Sequence, residues 1–381
     1  VRDKSHLYPT RIFVDKVSLD DSLTQRVLAN LKDVDVVEVD GVKDPVREGF
    51  ILASSTSPEA LFTAGKRALY LTRHKGSWLK SCPGTSGHVC CNLFIVNPGE
   101  GCPLDCTYCY LQSYLKKNPT LKLYTNTSDL MNELQDKFLS DSSRLFRVGT
   151  GELIDSLVWD DISGLSLDLV PFFAKFDNAV LELKTKDDGV GNLLDLRNDH
   201  KGKTVVSWSV NARTVTEKDE KDTATLAQRI EAASKVVEAG YRVGFHFDPL
   251  VYFENWEEEY LETINTIFSN IPASRVAWIS ISTLRYKTDL HEMMKARFPE
   301  SNLPFGEQFL ANDNKLRYVQ PIRFKMTRFV WNNIKKISED IPVYMCMESS
   351  AAWRNISGGA PLAGSELREV FARNHRLPVL T

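Results

Sequence analysis

Gly101-Cys102-Pro103-Leu104-Asp105-Cys106-Thr107-Tyr108-Cys109-Tyr110 sets three cysteines in one short loop with the spacing Cys-x3-Cys-x2-Cys. Three thiolates can hold three irons of a four-iron cluster and leave the fourth iron without a protein ligand. A vacant corner of this kind takes a substrate or cofactor, as the open position of a catalytic zinc site does. Two other readings stand beside it: a zinc knuckle, and buried reduced thiols. Zinc usually shows paired Cys-x2-Cys or Cys/His sets, and no histidine lies within ten residues of this loop.

The chain around the loop has 381 residues, enough for one large α/β unit with an appendage or for two domains. Its hydrophobic fraction of 43% and charged fraction of 25% are ordinary for a globular protein in water. No run of apolar residues is long enough to span a bilayer, so no membrane partner is expected. The opening Val1-Arg2-Asp3-Lys4 does not read as a signal peptide. Seven cysteines are an odd count without a regular disulfide framework, which fits a reducing compartment, the cytoplasm. A net charge of -3 makes no global electrostatic case for nucleic acid, so DNA contact would need a local basic patch.

Strand and helix patterns alternate from Cys91 onward. Cys91–Val96, Leu121–Asn126, Leu145–Val148, Ala179–Thr185, Thr204–Val210, Arg242–Phe247 and Val276–Ser282 read as strands, with a late strand over Val343–Met347. Helices are expected over Ser128–Leu139 with Ser128 as N-cap, near Leu165–Phe176, over Thr223–Ala239 with Gly240 past its end, and over Trp256–Phe268. Further helices are expected near Asp289–Arg297 and over Thr327–Ile337. This order predicts a parallel sheet with right-handed crossovers, closed fully or partly into a barrel. The expected division is a small N-terminal α/β extension at 1–88, a barrel at 89–290 and a C-terminal region at 291–381 packed on it. In the extension, Arg11–Val14 and Val34–Val39 read as strands, and Ser22–Leu31 and Ala60–Leu71 as helices. The charged run Glu217–Asp222 reads as a solvated loop.

Barrel chemistry gathers at the C-terminal ends of the strands, and that rule selects polar residues. Gly149-Thr150-Gly151-Glu152 ends one strand, where glycine admits a ligand close to the backbone and Glu152 can bind a cationic amine. Lys186 closes the next strand and can pair with a carboxylate, or can simply snorkel at the surface. Ser209 and Asn211 follow as hydrogen-bonding candidates. His246 and Asp248 are two apart on one strand face, so His246 is a candidate for substrate binding or proton movement and Asp248 for cofactor binding; a satisfied half-buried pair is the structural alternative. Cys346 can donate hydrogen to a carbon radical if it faces the mouth, or can pack in the core. Cys82, His88, Cys90 and Cys91 suggest a second metal site, but adjacent cysteines in a strand point to opposite faces, which favours free thiols.

The cysteine loop with its aromatic Tyr108 and Tyr110 resembles the radical S-adenosylmethionine (SAM) enzymes. Cys102 to Tyr114 is similar to the cluster segment of the spore photoproduct lyase family, and the similarity runs from residue 8 to about 350. It takes in Thr185-Lys186, Ser209-Val210-Asn211 and Gly240-Tyr241 leading into Gly244-Phe245. The resemblance implies a partial (β/α)6 TIM-type barrel and a [4Fe-4S] cluster on Cys102, Cys106 and Cys109. It implies SAM contacts at Gly151, Glu152, Lys186 and Ser209, with Tyr108 and Tyr110 in radical relay or SAM contact. The implied reaction is reductive cleavage of SAM to a 5′-deoxyadenosyl radical that abstracts a substrate hydrogen, ending in carbon–carbon lysis of a thymine lesion in DNA. The implied partners are a reducing electron donor of flavodoxin or ferredoxin type and damaged DNA. Lys116, Lys117, Lys122, Arg285, Lys287, Arg317, Arg323 and Lys325 are candidates for tracking its phosphates. A small molecule or peptide is the alternative substrate. Two departures favour that alternative. Thr150 stands where the family carries its hydrogen-donor cysteine, and the segment Asn312–Gln320, which matches a late β-hairpin, looks shorter.

Overall fold

The computed structural model describes residues 3–41, 57–84 and 88–359. Residues 85–87 of the cysteine-rich stretch, the opening Val1-Arg2 and the end of the C-terminal region from 360 on lie outside the described residues. An eight-stranded sheet runs in the order Lys80–Ser81, Phe94–Ile95, Phe146–Gly149, Ala179–Thr185, Thr204–Ser209, Arg242–Leu250, Val276–Thr283 and Val343–Met345. Every pairing from Phe94–Ile95 onward is parallel, and only the edge strand Lys80–Ser81 is antiparallel. This curled half-barrel with helical crossovers is the partial barrel the alternation predicts, with Val343–Met345 added as a seventh parallel strand.

Side-chain alternation sorts the sheet into two faces. Leu181, Leu183, Val206, Trp208, Phe245, Phe247, Ile279 and Ile281 turn outward into the main apolar core. The helices bring matching stripes: Leu130, Leu134 and Phe138 recur every fourth residue on Thr127–Ser140, and Tyr260, Ile264 and Ile267 line one side of Trp256–Asn270. Helix Leu226–Glu238 opens with a Thr225/Gln228 capping box, and Gly240 beyond it takes a φ of +96°. The intervening residues Glu182, Lys184, Ser207, Ser209, His246 and Asp248 face the barrel interior.

A second sheet lies alongside, in the order Asp35–Val39, Arg11–Asp15, Ala68–Thr72, Leu121–Tyr124 and Gly99–Glu100. Here the sequence expectations need correction. The predicted helix Ala60–Leu71 is a helix only over Pro58–Gly65; Ala68–Thr72, buried throughout, is a central strand. Leu121–Tyr124 belongs to this sheet and not to the barrel. Cys90 and Cys91 lie outside any strand, because the paired segment is only Phe94–Ile95. Helix Thr127–Ser140 begins one residue before the expected cap Ser128. The C-terminal helix starts earlier than expected, at Gln320, with Pro321 in its first turn. The late hairpin is present as Gln308–Leu310 and Lys315–Tyr318, which pairs in turn with Arg285–Lys287.

Candidate active site

The cysteine loop hangs between the two sheets. Gly99–Glu100 pairs with Leu121–Tyr124 on one side, and the two-residue strand Asp105–Cys106 pairs with Glu220–Lys221 on the other, Cys106 opposite Glu220. Gly101 has a φ of +89°, and a Cβ there would lie 2.4 Å from Leu121 Cδ2, so only glycine passes. Lys66 donates to the carbonyls of Cys102 and Leu104 and pairs with Asp105 at 2.9 Å. Arg297 grips both oxygens of Asp105, each at 2.9 Å, and donates to Gln112 Oε1 at 2.6 Å. Gln112 in turn donates to the carbonyls of Cys106 and Thr107. Against the upward push of burial, Lys66 and Arg297 hold Asp105 below the usual carboxylate range.

Cys102, Cys106 and Cys109 are free cysteines. Burial pushes all three thiols up, opposed chiefly by Lys66 at Cys109 and by Lys186 at Cys106. Three soft sulfur donors in one loop, Cys106 buried and Cys102 and Cys109 half-buried, beside two lysines, suit a metal group that binds thiolates. Among the described residues, no three His, Cys, Asp or Glu side chains close on a single ion. A four-iron cluster makes a different demand, since each thiolate takes its own iron. The donor set therefore fits the cluster.

Behind the loop sits a buried polar cluster that the sequence reading missed. The supposed solvated run Glu217–Asp222 is a helix end and a strand, and Asp219 and Glu220 are both buried within it. Glu220 Oε1 accepts from the Tyr108 hydroxyl and, at 3.4 Å, from Asn211 Nδ2; Oε2 accepts from Arg229 at 2.6 Å. Lys186 Nζ lies 3.8 Å from Glu220 and 5.6 Å from the centre of the Tyr108 ring. Burial would raise the Glu220 carboxyl, but Arg229 and Lys186 outweigh it and bring it down to about 2. Burial and the adjacent Glu220 charge push the Tyr108 phenol up, so it keeps its proton. Asn211 is fixed by Tyr260 and the Pro249 carbonyl. Arg229 also donates to the Ser209 carbonyl, which ties that strand end to the pocket. Three predicted residues, Tyr108, Lys186 and Asn211, thus meet on Glu220.

Glu152 lies on the other flank. Its carboxylate accepts from Asn97 at 3.0 Å, and its carbonyl accepts from Tyr110 at 2.7 Å. A Cβ on Gly151 would lie 3.0 Å from Lys184 Cβ, so the backbone runs close there. Asp155, half-buried, joins the flanks: it accepts from Thr185 Oγ1 at 2.7 Å and from Lys186 N at 2.8 Å. Thr150 is buried, with its hydroxyl 2.8 Å from Ser156 Oγ.

His246 and Asp248 share a face, as expected, but serve different layers. His246 Nδ1 meets Ser280 Oγ at 2.6 Å and Nε2 meets Glu182 Oε1 at 2.8 Å, so both ring nitrogens are engaged. Glu182 also accepts from Ser207, Trp278 and Arg147. This closed polar floor fills the barrel interior. Burial lowers the His246 pKa and leaves the ring neutral. Asp248, at the mouth, pairs with Arg285 at 3.4 Å. Arg285 stands opposite Arg317 in the hairpin sheet, and Arg323 clamps Glu348 at 2.7 and 2.8 Å. Of the remaining phosphate candidates, Lys116, Lys122 and Lys325 are paired with Asp289, Glu100 and Glu257. Cys346 follows the last strand at the same mouth; burial pushes its thiol up to about 12.

The described parts of the cysteine-rich stretch, Cys82–Gly84 and His88–Asn92, border that mouth. Val89 N donates to the Glu348 carbonyl at 3.0 Å. Cys82 is half-buried, its thiol pushed up to about 11 by burial and by Cys91; Cys90 is exposed.

The family profile described as "SPL: Spore photoproduct lyase" matches residues 86–346. Among curated proteins, a spore photoproduct lyase of Geobacillus sp. (strain Y412MC61) is 28% identical over 214 residues, 54% of this chain and 61% of that protein. The spore photoproduct lyase of Bacillus subtilis (strain 168) is 28% identical over 211 residues, 55% of this chain and 61% of that protein. These alignments thus span about three fifths of the relatives' length. A solved spore photoproduct lyase variant with bound AdoMet and dinucleoside spore photoproduct superposes with a TM-score of 0.77 at 20% identity, over 88% of this chain and 98% of that one. That likeness shows a shared fold.

Proposed function

The chain belongs to the spore photoproduct lyase family, a family of radical SAM enzymes, and from that premise we propose that it cleaves SAM with a [4Fe-4S] cluster to act on a thymine lesion in DNA. The observation that carries this reading is the buried charge cluster beside the three-cysteine loop, where Lys186 and Arg229 share the one carboxylate of Glu220. Cys102, Cys106 and Cys109 would hold the cluster. When bound, cluster and SAM supply an electron-driven cleavage that yields a 5′-deoxyadenosyl radical, and the radical takes a substrate hydrogen.

The chain's own residues provide position and exclusion of water. Lys186 faces the pocket with its ammonium only loosely held and can take the SAM carboxylate. Glu152 can take the amino group, with the close backbone at Gly151 letting the ligand approach. Tyr108, Ser209 and Asn211 complete the cradle, and Tyr110 lies between it and Glu152. The Arg147–Glu182–His246 floor seals the lower barrel, so a reactive carbon centre meets protein only at the mouth. There Asp248 and Arg285 would meet the substrate, while Arg317, buried and paired with Asp313, and Arg323, clamped on Glu348, are already engaged.

A hydrogen donor is still required, and an O–H bond is a poor one. Thr150 spends its hydroxyl on Ser156. Cys346 keeps its S–H at neutral pH and stands at the mouth. We assign it as the donor. A duplex substrate must expose the damaged nucleotides to reach this mouth, which weakened pairing at a lesion makes cheaper. The missing donor at position 150 also keeps a small molecule or peptide open as a second reading. A low-potential donor of flavodoxin or ferredoxin type would deliver the electron.

The test is anaerobic reconstitution with iron and sulfide, then dithionite and SAM, with and without a thymine-lesion oligonucleotide. Adenosyl cleavage together with lesion reversal supports the reading. Cleavage with no effect on any DNA lesion points to the second one, and iron-free inactive protein refutes both.

A further inference from the structure

We infer that Glu220 and Arg229 are positioning residues that act through Lys186 to set how tightly this site holds the carboxylate of SAM. The inference rests on the SAM-binding reading above.

The argument begins with a count of charge. Glu220 and Arg229 are buried, and Lys186 is nearly so, with 13% of its side chain exposed. Asp219, next to Glu220, turns away and accepts from Ser301 at 2.6 Å. The pocket's ion pairs therefore join two cations to one carboxylate. The carboxylate is divided unequally. Arg229 takes Oε2 at 2.6 Å, a full charge-assisted hydrogen bond, while Lys186 stays at 3.8 Å from Oε1, which Tyr108 already occupies. Lys186 is attracted but not bonded, so Glu220 competes with any second carboxylate for it. Arg229 does the reverse: by neutralising Glu220 it frees Lys186 for a ligand. A buried pair of this kind acts on a ligand several ångström away with little screening.

The two residues should then push affinity in opposite directions. Glu220→Gln raises the charge of the cluster by one and should tighten SAM roughly thirty- to a hundred-fold, the range set by a unit charge about 6–8 Å away at an effective dielectric of about 20. Arg229→Met lowers the charge and should weaken SAM by a similar factor. The double variant E220Q/R229M restores the charge count and should return within about three-fold of the parent. Mere structural damage would weaken every variant.

The experiment is equilibrium dialysis of labelled SAM against reconstituted full-length protein, with iron content and thermal midpoint recorded for each variant. Decarboxylated SAM is run alongside, because it lacks the group on which the effect depends. Tightening of SAM but not of its decarboxylated analogue in E220Q, with weakening in R229M, supports the inference. If E220Q alone does not fold, the same comparison is made between R229M and the double variant. An E220Q effect that is absent, weakening, or equal for both ligands at matched iron content overturns it. A parent protein that binds no SAM would instead remove the function proposed above, and so the two failures are told apart.

Discussion

Replacing Glu182 by glutamine tests the polar floor of the barrel. One carboxylate there collects four hydrogen bonds: Ser207 Oγ, His246 Nε2 and Trp278 Nε1 reach Oε1, each at 2.8 Å, and Arg147 reaches Oε2 at 2.9 Å. Burial raises the carboxyl, but Arg147 and His246 overcome it and hold the group well below the usual range. A glutamine keeps the shape and can accept three of the bonds, yet its amide must turn N–H groups toward donors. It also removes the negative charge that Arg147 pairs with in the interior. Breaking a buried pair from one side costs about 3–5 kcal/mol. Ser207 and Trp278 bonds to a neutral acceptor are also weaker, but these terms are not additive with the first. Urea unfolding under anaerobic conditions, read by tryptophan fluorescence, should show the midpoint lowered by about 1 M or more at unchanged slope. The double variant Glu182→Gln/Arg147→Met should recover part of the loss, since a neutral pair escapes the desolvation penalty. A single variant within about 0.3 M of the parent would refute the reasoning that buried Arg147 depends on the charge of Glu182.

Other consequences are testable in the same way. Cys346→Ala should leave SAM cleavage intact while lesion reversal falls and abortive products rise, measured by chromatography and deuterium tracking; unchanged product distribution would reassign the hydrogen donor. The Cys346 thiol, raised to about 12 by burial, should react with iodoacetamide far more slowly than glutathione at pH 8, with the rate climbing as pH rises; peptide mass mapping reads this directly. Gly101→Ala forces a Cβ to within 2.4 Å of Leu121 Cδ2 at a φ of +89°, so it should cost about 1–3 kcal/mol and lower iron content after reconstitution. Glu220 is held at about 2 when folded, below its unfolded value. Its stabilising contribution is therefore complete above the unfolded pKa and is lost as pH falls from roughly 5 toward 2, a window to be read as a difference in acid unfolding between the parent and E220Q/R229M.

The cysteine loop was legible from sequence because three thiols at fixed spacing admit few chemistries. Lys186 and Asn211 were legible because strand ends in barrels collect polar groups. Glu220 was hidden for a physical reason. A run of charges reads as solvated unless its partner is visible, and Arg229 lies nine residues on, across a turn and into the next helix. The one local clue is the Thr225/Gln228 capping box, which starts that helix where Arg229 can reach back. Ala68–Thr72 was absorbed into a helix because a short apolar run carries no period; Gly65 marks the real boundary, where a Cβ would lie 2.6 Å from the Pro119 carbonyl. The strand at Leu121–Tyr124 was recognised as a strand but assigned to the wrong sheet, since parallel partners are distant in sequence and local pattern does not name them. His246 looked available because sequence shows a residue's face but not the Glu182 that already occupies it.

The mixed parentage of the smaller sheet has a practical consequence for anyone dissecting this protein. Three of its five strands come from before residue 73, while Leu121–Tyr124 and Gly99–Glu100 come from the chain on either side of the cysteines. Trimming the leading segment to obtain a minimal catalytic core would strip the ladder from Leu121–Tyr124 and withdraw Lys66 from the carbonyls it anchors. The cysteine turn would then lose one of its anchors and rest on Arg297 and the Cys106–Glu220 pairing. Shortened versions should be cut elsewhere, and chimaeras must exchange this whole sheet as one piece.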